Sequence, residues 1–267
     1  MTQTSPIKKK PTILLTNDDG IHAPGLKHLW NALKDHCDLI IFAPSSEKSA
    51  SGVSVTLRDP LKVSPIQWEE NTPAWHVSGT PADCVRMATS VILEKKPDLI
   101  VSGINRGANS GRNILYSGTV GGVIEGIMRQ IPGIALSCED FDNPHYSHFE
   151  PHIFTLVEYL LNQPLPKGTF LNVNFPSCYK SDHKGYCFAR QGHGYYKEKP
   201  QKGNHPEGWS YYWMGGGWEE HEEHEESDVH LLRQGFITIV PVHVYELTDL
   251  AIFHERKAHF SKSPHMN

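Results

Sequence analysis

The stretch Ile13-Leu14-Leu15-Thr16-Asn17-Asp18-Asp19-Gly20 decides the fold. Its apolar residues are consecutive rather than alternating, the pattern of a strand covered on both faces, and Asn17-Asp18-Asp19-Gly20 ends it in a polar turn. Just downstream, Leu26, Leu29, Trp30 and Leu33 recur at i, i+3, i+4 and i+7 as one stripe of a helix, and Pro24 suits the helix start. Leu39-Ile40-Ile41-Phe42-Ala43 is a second continuous apolar strand, closed by Pro44 and the serine-rich loop from Ser45 to Gly52. The unit is βαβ.

The alternation continues. Ala82, Val85, Ala88 and Ile92 predict a helix from Ala82 to Lys96, Asp98 to Ser102 a strand, and Val120, Val123, Ile124, Ile127 and Met128 a helix from Thr119 to Gln130. Gly133 to Ser137 reads as another buried strand, and Ile153, Leu156, Val157, Leu160 and Leu161 stripe another helix. Strands of this kind need helices on both faces, so the expected fold is α/β, a Rossmann-like doubly wound and mostly parallel sheet. Residues 1–168 are expected to form the catalytic core, with 235–258 returning to it. Residues 169–267 read as a β-rich extension, with strand-like pieces at Phe170 to Phe175, Ser210 to Met214 and Phe236 to Val240. Tyr211-Tyr212-Trp213-Met214 fits an exposed hairpin using aromatics for oligomer contact better than a ligand cage.

Composition narrows the partners. A chain of 267 residues with 38% hydrophobic residues can bury a large core, and a net charge of -5 gives no footprint for general binding to nucleic acid or an anionic membrane. No nucleic-acid partner and no membrane partner are therefore expected. The apolar runs are much shorter than the roughly 20 residues of a bilayer helix, and Lys8-Lys9-Lys10 leads into no convincing signal peptide. Five scattered cysteines (Cys37, Cys84, Cys138, Cys178, Cys187) without a C-x-x-C pair suggest thiols in a reducing cytoplasm, not a disulfide framework or a thiolate zinc site.

Four loops leave strand ends or their neighbourhood, where an open α/β sheet places its crevice. Asn17 to Gly20 carries two adjacent carboxylates, hard oxygen ligands suited to Mg²⁺ or Mn²⁺, although Asp-Gly alone is also a turn signal. Ala43 to Gly52 supplies hydroxyls and Lys48 but by itself reads as a solvated serine loop. Ser102 to Asn109 offers amide oxygens, the Arg106 guanidinium for an anion, and more glycine than a simple connector needs. Tyr116 to Gly122 puts Ser117, Thr119 and glycines at a helix start, where free N–H groups and the dipole favour phosphate; the same donors serve N-capping.

Acidic oxygens for a divalent cation, a phosphate seat and an arginine are the ingredients of metal-assisted phosphate ester hydrolysis. Competing chemistries lack their motifs: there is no G-x-x-x-x-G-K-[ST], no G-x-G-x-x-G after the first strand, no G-x-S-x-G and no cysteine six residues before an arginine.

At these residues the sequence resembles the SurE family of stationary-phase survival proteins, metal-dependent nucleoside monophosphate phosphatases. The resemblance rests on ordered blocks: ILLTNDDGIHAPG (13–25), FAPSSEKSASG (42–52), VSGTPADCVRMA (77–88), DLIVSGINRGAN (98–109) and LYSGTVGGVIEG (115–126). It implies one Mg²⁺ or Mn²⁺ per subunit held by Asp18, Asp19, Ser49 and Asn105, a choice of Ser49 over Ser45, Ser46 or Ser51 that spacing alone does not make. It also implies phosphate contacts near Asn109, Ser117, Gly118 and Thr119, joined by Arg106 from the loop argument. The implied activity is that of a 5′-nucleotidase, taking 5′- and 3′-nucleoside monophosphates with short polyphosphate as a secondary substrate. The implied assembly is a homodimer or homotetramer through an exchanged carboxyl-terminal hairpin. Either Asp18 or Asp19 can act as general base, and adjacency leaves them indistinguishable here. The tail departs from the family pattern: Val244, Tyr245 and Glu246 follow His243, so no catalytic role is assigned to it.

Thr80, Asp83 and Arg86 read better as a capped helix start than as a base pocket, and the run Glu219 to Glu226 (EEHEEHEE) better as a solvated loop than as a metal tract. The rival function is a non-catalytic nucleotide-binding regulatory module. Adjacent carboxylates that repel each other unless a cation sits between them speak for the enzyme.

Overall fold

The computed structural model describes residues 10–177, 183–219 and 221–260. Cys178, Glu220 and the lysines before Lys10 lie outside the described residues. The chain opens with β1 (Thr12–Thr16), α1 (Pro24–Leu33) and β2 (Asp38–Pro44), the βαβ unit expected, with α1 starting at Pro24. Then follow β3 (Val63–Ile66), β4 (Ala74–Val77), α2 (Pro81–Met87), β5 (Leu99–Arg106), α3 (Gly118–Met128), β6 (Gly133–Cys138), α4 (Glu150–Asn162) and β7 (Thr169–Phe175). The remainder is β8 (Tyr186–Phe188), β9 (Tyr195–Glu198), β10 (Gln201–Asn204), β11 (Ser210–Trp213), β12 (Gly216–Glu219), α5 (Asp228–Arg233), β13 (Ile237–His243) and α6 (Leu250–Phe260).

Nine strands form one sheet in the order β3-β4-β2-β1-β5-β6-β7-β13-β8. Pairing is parallel from β4 through β7 and between β13 and β8, and antiparallel for β3–β4 and β7–β13. Consecutive apolar residues supply both faces. Ile13 and Leu15 of β1 join the core under α1 and α4, whereas Leu14 between them packs with Val85 of α2. Val120, Val123 and Ile127 of α3 cover Ala135 and Phe170 on the α2 side. Because β1 lies between β2 and β5, successive crossovers leave it in opposite directions, and the crevice forms at the carboxyl ends of β1 and β5.

Three elements differ from the sequence reading. Strand β5 does not stop at Ser102: after an irregularity between Ser102 and Asn105 it resumes pairing, with Asn105 opposite Ser137 and Arg106 opposite Cys138. The supposed glycine loop is therefore largely a bulged strand end, and Gly103 is needed because a Cβ there would stand 2.3 Å from the Leu136 carbonyl oxygen. The helix expected to reach Lys96 ends as α2 at Met87 and passes into a π turn over Ala88–Ile92, where the Thr89 hydroxyl bonds back to the Val85 carbonyl at 2.7 Å. Finally, β7, read as part of the extension, is an interior strand between β6 and β13.

Outside the main sheet, β10 pairs β11 and β12 pairs β9 as antiparallel ribbons, and Trp209, Tyr212, Trp213 and Met214 are exposed there. Among the described residues no helix is long and apolar enough to cross a membrane.

Candidate active site

The acid pair is presented by a turn that Asn17 closes with its own amide. Asn17 Oδ1 accepts the Gly20 N–H at 3.2 Å, Nδ2 donates to the Gly20 carbonyl at 2.9 Å, and Gly20 takes the φ of +105° that the turn requires. Asp18 and Asp19 project from it in different settings. Asp18 is 4% exposed, and the Thr119 hydroxyl in the first turn of α3 donates to its Oδ1. Asp19 is half-buried, and its Oδ2 accepts the Arg106 backbone N–H at the end of β5, 3.1 Å away.

Burial raises the Asp18 carboxyl to about 6, with the Asp19 charge adding to the shift and the Thr119 hydroxyl opposing it. Burial also raises Asp19; the Arg106 amide and guanidinium hold it back, and the Glu47 carboxylate pushes it further. Two neighbouring carboxyls that both resist ionisation are a site where added positive charge is favourable.

The other expected ligands divide. Asn105 sits at the end of β5 with Nδ2 donating to the Gly107 carbonyl at 2.7 Å, which turns that nitrogen away and leaves Oδ1 as the free donor atom. Ser49 is exposed and its hydroxyl donates to Glu47 at 2.7 Å, so no contact draws it to the acid pair. Besides Thr119, a second hydroxyl lies close to Asp18, that of Ser51, whose Oγ is buried with no hydrogen-bond partner. A Cβ on Gly118 would stand 2.7 Å from Ser51 Oγ, 2.8 Å from Asp18 Cβ and 2.9 Å from Asp18 Oδ2, so only glycine lets the helix start lie this close. Sequence gave no reason to pick Ser51 out of its loop; its burial comes from the docking of that loop on α3, where a Cβ on Gly121 would meet the Gly52 carbonyl oxygen at 2.1 Å.

On the anion side, Ser117 caps α3 by accepting the Val120 N–H at 3.2 Å, and Gly118 and Thr119 carry amides of the first turn that have no acceptor within the helix. Arg106 is exposed, its guanidinium 4.5 Å from the Phe141 ring centre. Asn109 is 7% exposed and turned inward, with its Nδ2 donating to Ser137 Oγ at 2.7 Å. Thr119 spends its hydroxyl on Asp18, and its backbone N–H also supports that carboxylate, which leaves the Gly118 amide as the unengaged donor of the first turn. Two carboxylates, the Asn105 amide oxygen and an unpaired buried hydroxyl are all hard oxygen donors; they fit Mg²⁺ or Mn²⁺ and do not fit a soft metal.

Beside Asp19 opens a cavity of about 470 Å³ bordered by His28, Glu47, Arg106, Asp142 and Tyr146. Thr80 and Asp83 form the capping box of α2, and Asp83 also accepts the Thr56 amide and hydroxyl, in keeping with the structural reading. In the run from Glu219, the Glu223 carboxylate accepts the His193 and Gly194 amides at 2.9 and 2.7 Å, so that part of the loop is anchored. Among the described residues no group of three or more His, Cys, Asp or Glu is arranged to hold a metal ion. His243 bonds Thr169 at 3.0 Å, and Asp249 caps α6 by accepting the Ile252 amide.

A doubly wound sheet with an acid pair and a glycine-opened helix start in its switch-point crevice defines the class: an α/β protein with clustered carboxylate oxygens beside the first turn of a helix. The sequence matches the family described as "Survival protein SurE" over residues 13–198. It is 50% identical over 245 residues to the 5'-nucleotidase SurE of Protochlamydia amoebophila, covering 91% of this chain and 94% of that protein. It is 41% identical over 241 residues to the 5'-nucleotidase SurE of Caldanaerobacter subterraneus subsp. tengcongensis, covering 90% and 94%. The crystal structure of the SurE protein from Aquifex aeolicus aligns with a TM-score of 0.78 at 37% identity, covering 94% of this chain and all of that one. The chain belongs to the SurE family.

Proposed function

We infer that this chain is a 5′-nucleotidase, a divalent-cation-dependent phosphatase that converts nucleoside 5′-monophosphates and water to nucleosides and phosphate. The relatives' names support the reading, and one observation on this chain carries it: the Thr119–Asp18 hydrogen bond, which joins the acid pair to the helix start.

In this reading the phosphate sits at the Gly118 amide, beside Ser117 and Thr119 at the start of α3, where the dipole of α3 favours negative charge, and Arg106 reaches from the rim to charge building on the phosphoryl oxygens. On the same reading Asp18, Asp19 and Asn105 would hold one Mg²⁺ or Mn²⁺, with the unpaired Ser51 hydroxyl close to Asp18 as a further oxygen donor in place of Ser49. When bound, that cation supplies Lewis-acid charge to the phosphoryl group. Asp18 is engaged by Thr119, whereas Asp19 borders the open cavity, so Asp19 is the group placed to take the proton of the attacking water. The cavity beside it has room for the nucleoside.

Activity on 3′-monophosphates and short polyphosphate belongs to the same proposal. So does a cytoplasmic location, where the thiols of Cys37, Cys84, Cys138 and Cys187 stay reduced. So does assembly as a homodimer or homotetramer through the ribbon that exposes Trp209, Tyr212 and Trp213. Sedimentation of a chain lacking 201–213 tests the assembly: a monomer is expected, and an unchanged oligomer refutes the role of the ribbon.

Phosphate release from 5′- and 3′-nucleoside monophosphates, with EDTA and with Mn²⁺ or Mg²⁺ restored, tests the activity. Release abolished by EDTA and recovered with the cation is expected. Tight nucleotide binding with no release would establish the regulatory module instead.

A further inference from the structure

Two asparagines on β7, outside every residue so far given a role, hold one residue of the active-site loop by both ends of its backbone. Asn174 Oδ1 accepts the Asn109 N–H at 2.7 Å, and Asn172 Nδ2 donates to the Asn109 carbonyl at 2.9 Å. Residues i and i+2 of a strand face the same side, so the two side chains act on Asn109 as a neighbouring strand's backbone would. Both are completely buried. Each also leaves one atom without a partner, Oδ1 of Asn172 and Nδ2 of Asn174.

Unpaired amide atoms in a core are costly, and an interior strand of a parallel sheet is ordinarily apolar. What the pair holds accounts for them. Asn109 lies in the chain between Arg106 and the first turn of α3, so the clip pins the stretch that joins the guanidinium to the proposed phosphate seat. A third tie reinforces it: Asn109 Nδ2 donates to Ser137, and Ser137 lies in register with Asn105 on one side and Asn174 on the other.

We propose that Asn172 and Asn174 are positioning residues for the substrate phosphate, acting through Asn109 to fix the stretch that runs from Arg106 to the start of α3. The proposal rests on the reading of that stretch as the phosphate site. It also assigns each asparagine one polarity, Asn174 as acceptor and Asn172 as donor.

The test compares Asn172→Leu, Asn174→Leu, Asn174→Asp and, as a control, Thr238→Val. Thr238 is equally buried, pairs in register with Asn174, and has a hydroxyl with no partner, so it shares the environment without touching Asn109. Three quantities are measured: hydrogen exchange of the Asn109 amide, binding of inorganic phosphate by calorimetry, and kcat and KM separately. In the leucine variants phosphate binding weakens and KM rises by about tenfold while Mn²⁺ affinity stays within about threefold, and in Asn174→Leu the Asn109 amide also loses protection. Thr238→Val and Asn174→Asp, which keeps the acceptor, stay within about threefold of wild type in phosphate binding. Folded leucine variants with wild-type phosphate binding and KM overturn the proposal. If the leucine variants do not fold, Asn174→Asp decides it, because a folded Asn174→Asp that loses phosphate binding contradicts the acceptor role. A wild-type protein that releases no phosphate from any nucleotide refutes the nucleotidase reading; an active wild type with unaffected leucine variants refutes only the clip.

Discussion

Thr119, in the first turn of α3, donates its hydroxyl to Asp18 at the end of β1, across 101 residues of sequence. The bond satisfies a carboxylate that burial would otherwise neutralise, and it fixes the distance between the acid pair and the start of α3, the proposed cation and phosphate sites. Thr119→Val removes the donor and keeps the shape, so kcat/KM falls by about 10²-fold, the usual loss for one preorganised donor. Thr119→Ser keeps the hydroxyl and stays within about fivefold of wild type. Steady-state kinetics on one nucleoside 5′-monophosphate checks both, and a Val variant as active as Ser would remove this bond from the account.

Gly118→Ala places a methyl group against Ser51 Oγ and the Asp18 side chain, each under 3 Å from the ideal Cβ. The clash lies inside the site, so kcat/KM drops by about a hundredfold or more while the melting temperature moves by only a few degrees. Full activity in Gly118→Ala would mean that the acid pair and the helix start are not in contact during turnover.

Asp228 predicts a pH effect on stability. It is completely buried at the start of α5, accepts the Gly111 amide at 3.1 Å, the Gly192 amide at 2.8 Å and the Gln191 Nε2 at 2.9 Å, and thereby ties the extension to the loop before α3. Burial raises its carboxyl from 3.8 to about 6 despite those donors. The folded state therefore binds the proton more tightly than the unfolded chain; its contribution to stability is fully present below the unfolded value and is lost as pH rises through about 6. Asp228→Asn cannot titrate. Urea unfolding at pH 5 and pH 7.5 is expected to show wild type gaining on Asp228→Asn by about 1 kcal/mol at the lower pH. A difference independent of pH would contradict the raised value.

The parts of this molecule legible in sequence are those where one local pattern has one physical cause. Ile13 to Leu15 followed by Asn17 to Gly20 reads as a buried strand and a polar turn because both faces are covered and Asn17 closes its own turn. Ser117 at a helix start reads as a cap and is one. The rest depends on contacts far apart in the chain. The end of β5 was hidden because Gly103, which looks like loop, is demanded by the Leu136 carbonyl of the neighbouring strand. Ser51 looks like its neighbours until the loop docks on Gly121 and buries its hydroxyl. Asn172 and Asn174 look like the polar face of an exterior strand, and only their place between β6 and β13 shows that they point into the interior.

The central claim is that Asp18 and Asp19 hold a single divalent cation. Calorimetric titration of Mn²⁺ into wild type, Asp18→Asn and Asp19→Asn tests it without reference to turnover. One ion per chain is expected in wild type, with affinity lower by about a hundredfold in each variant, since each loses a charged oxygen ligand. Mn²⁺ binding of wild-type strength in both variants would contradict the account.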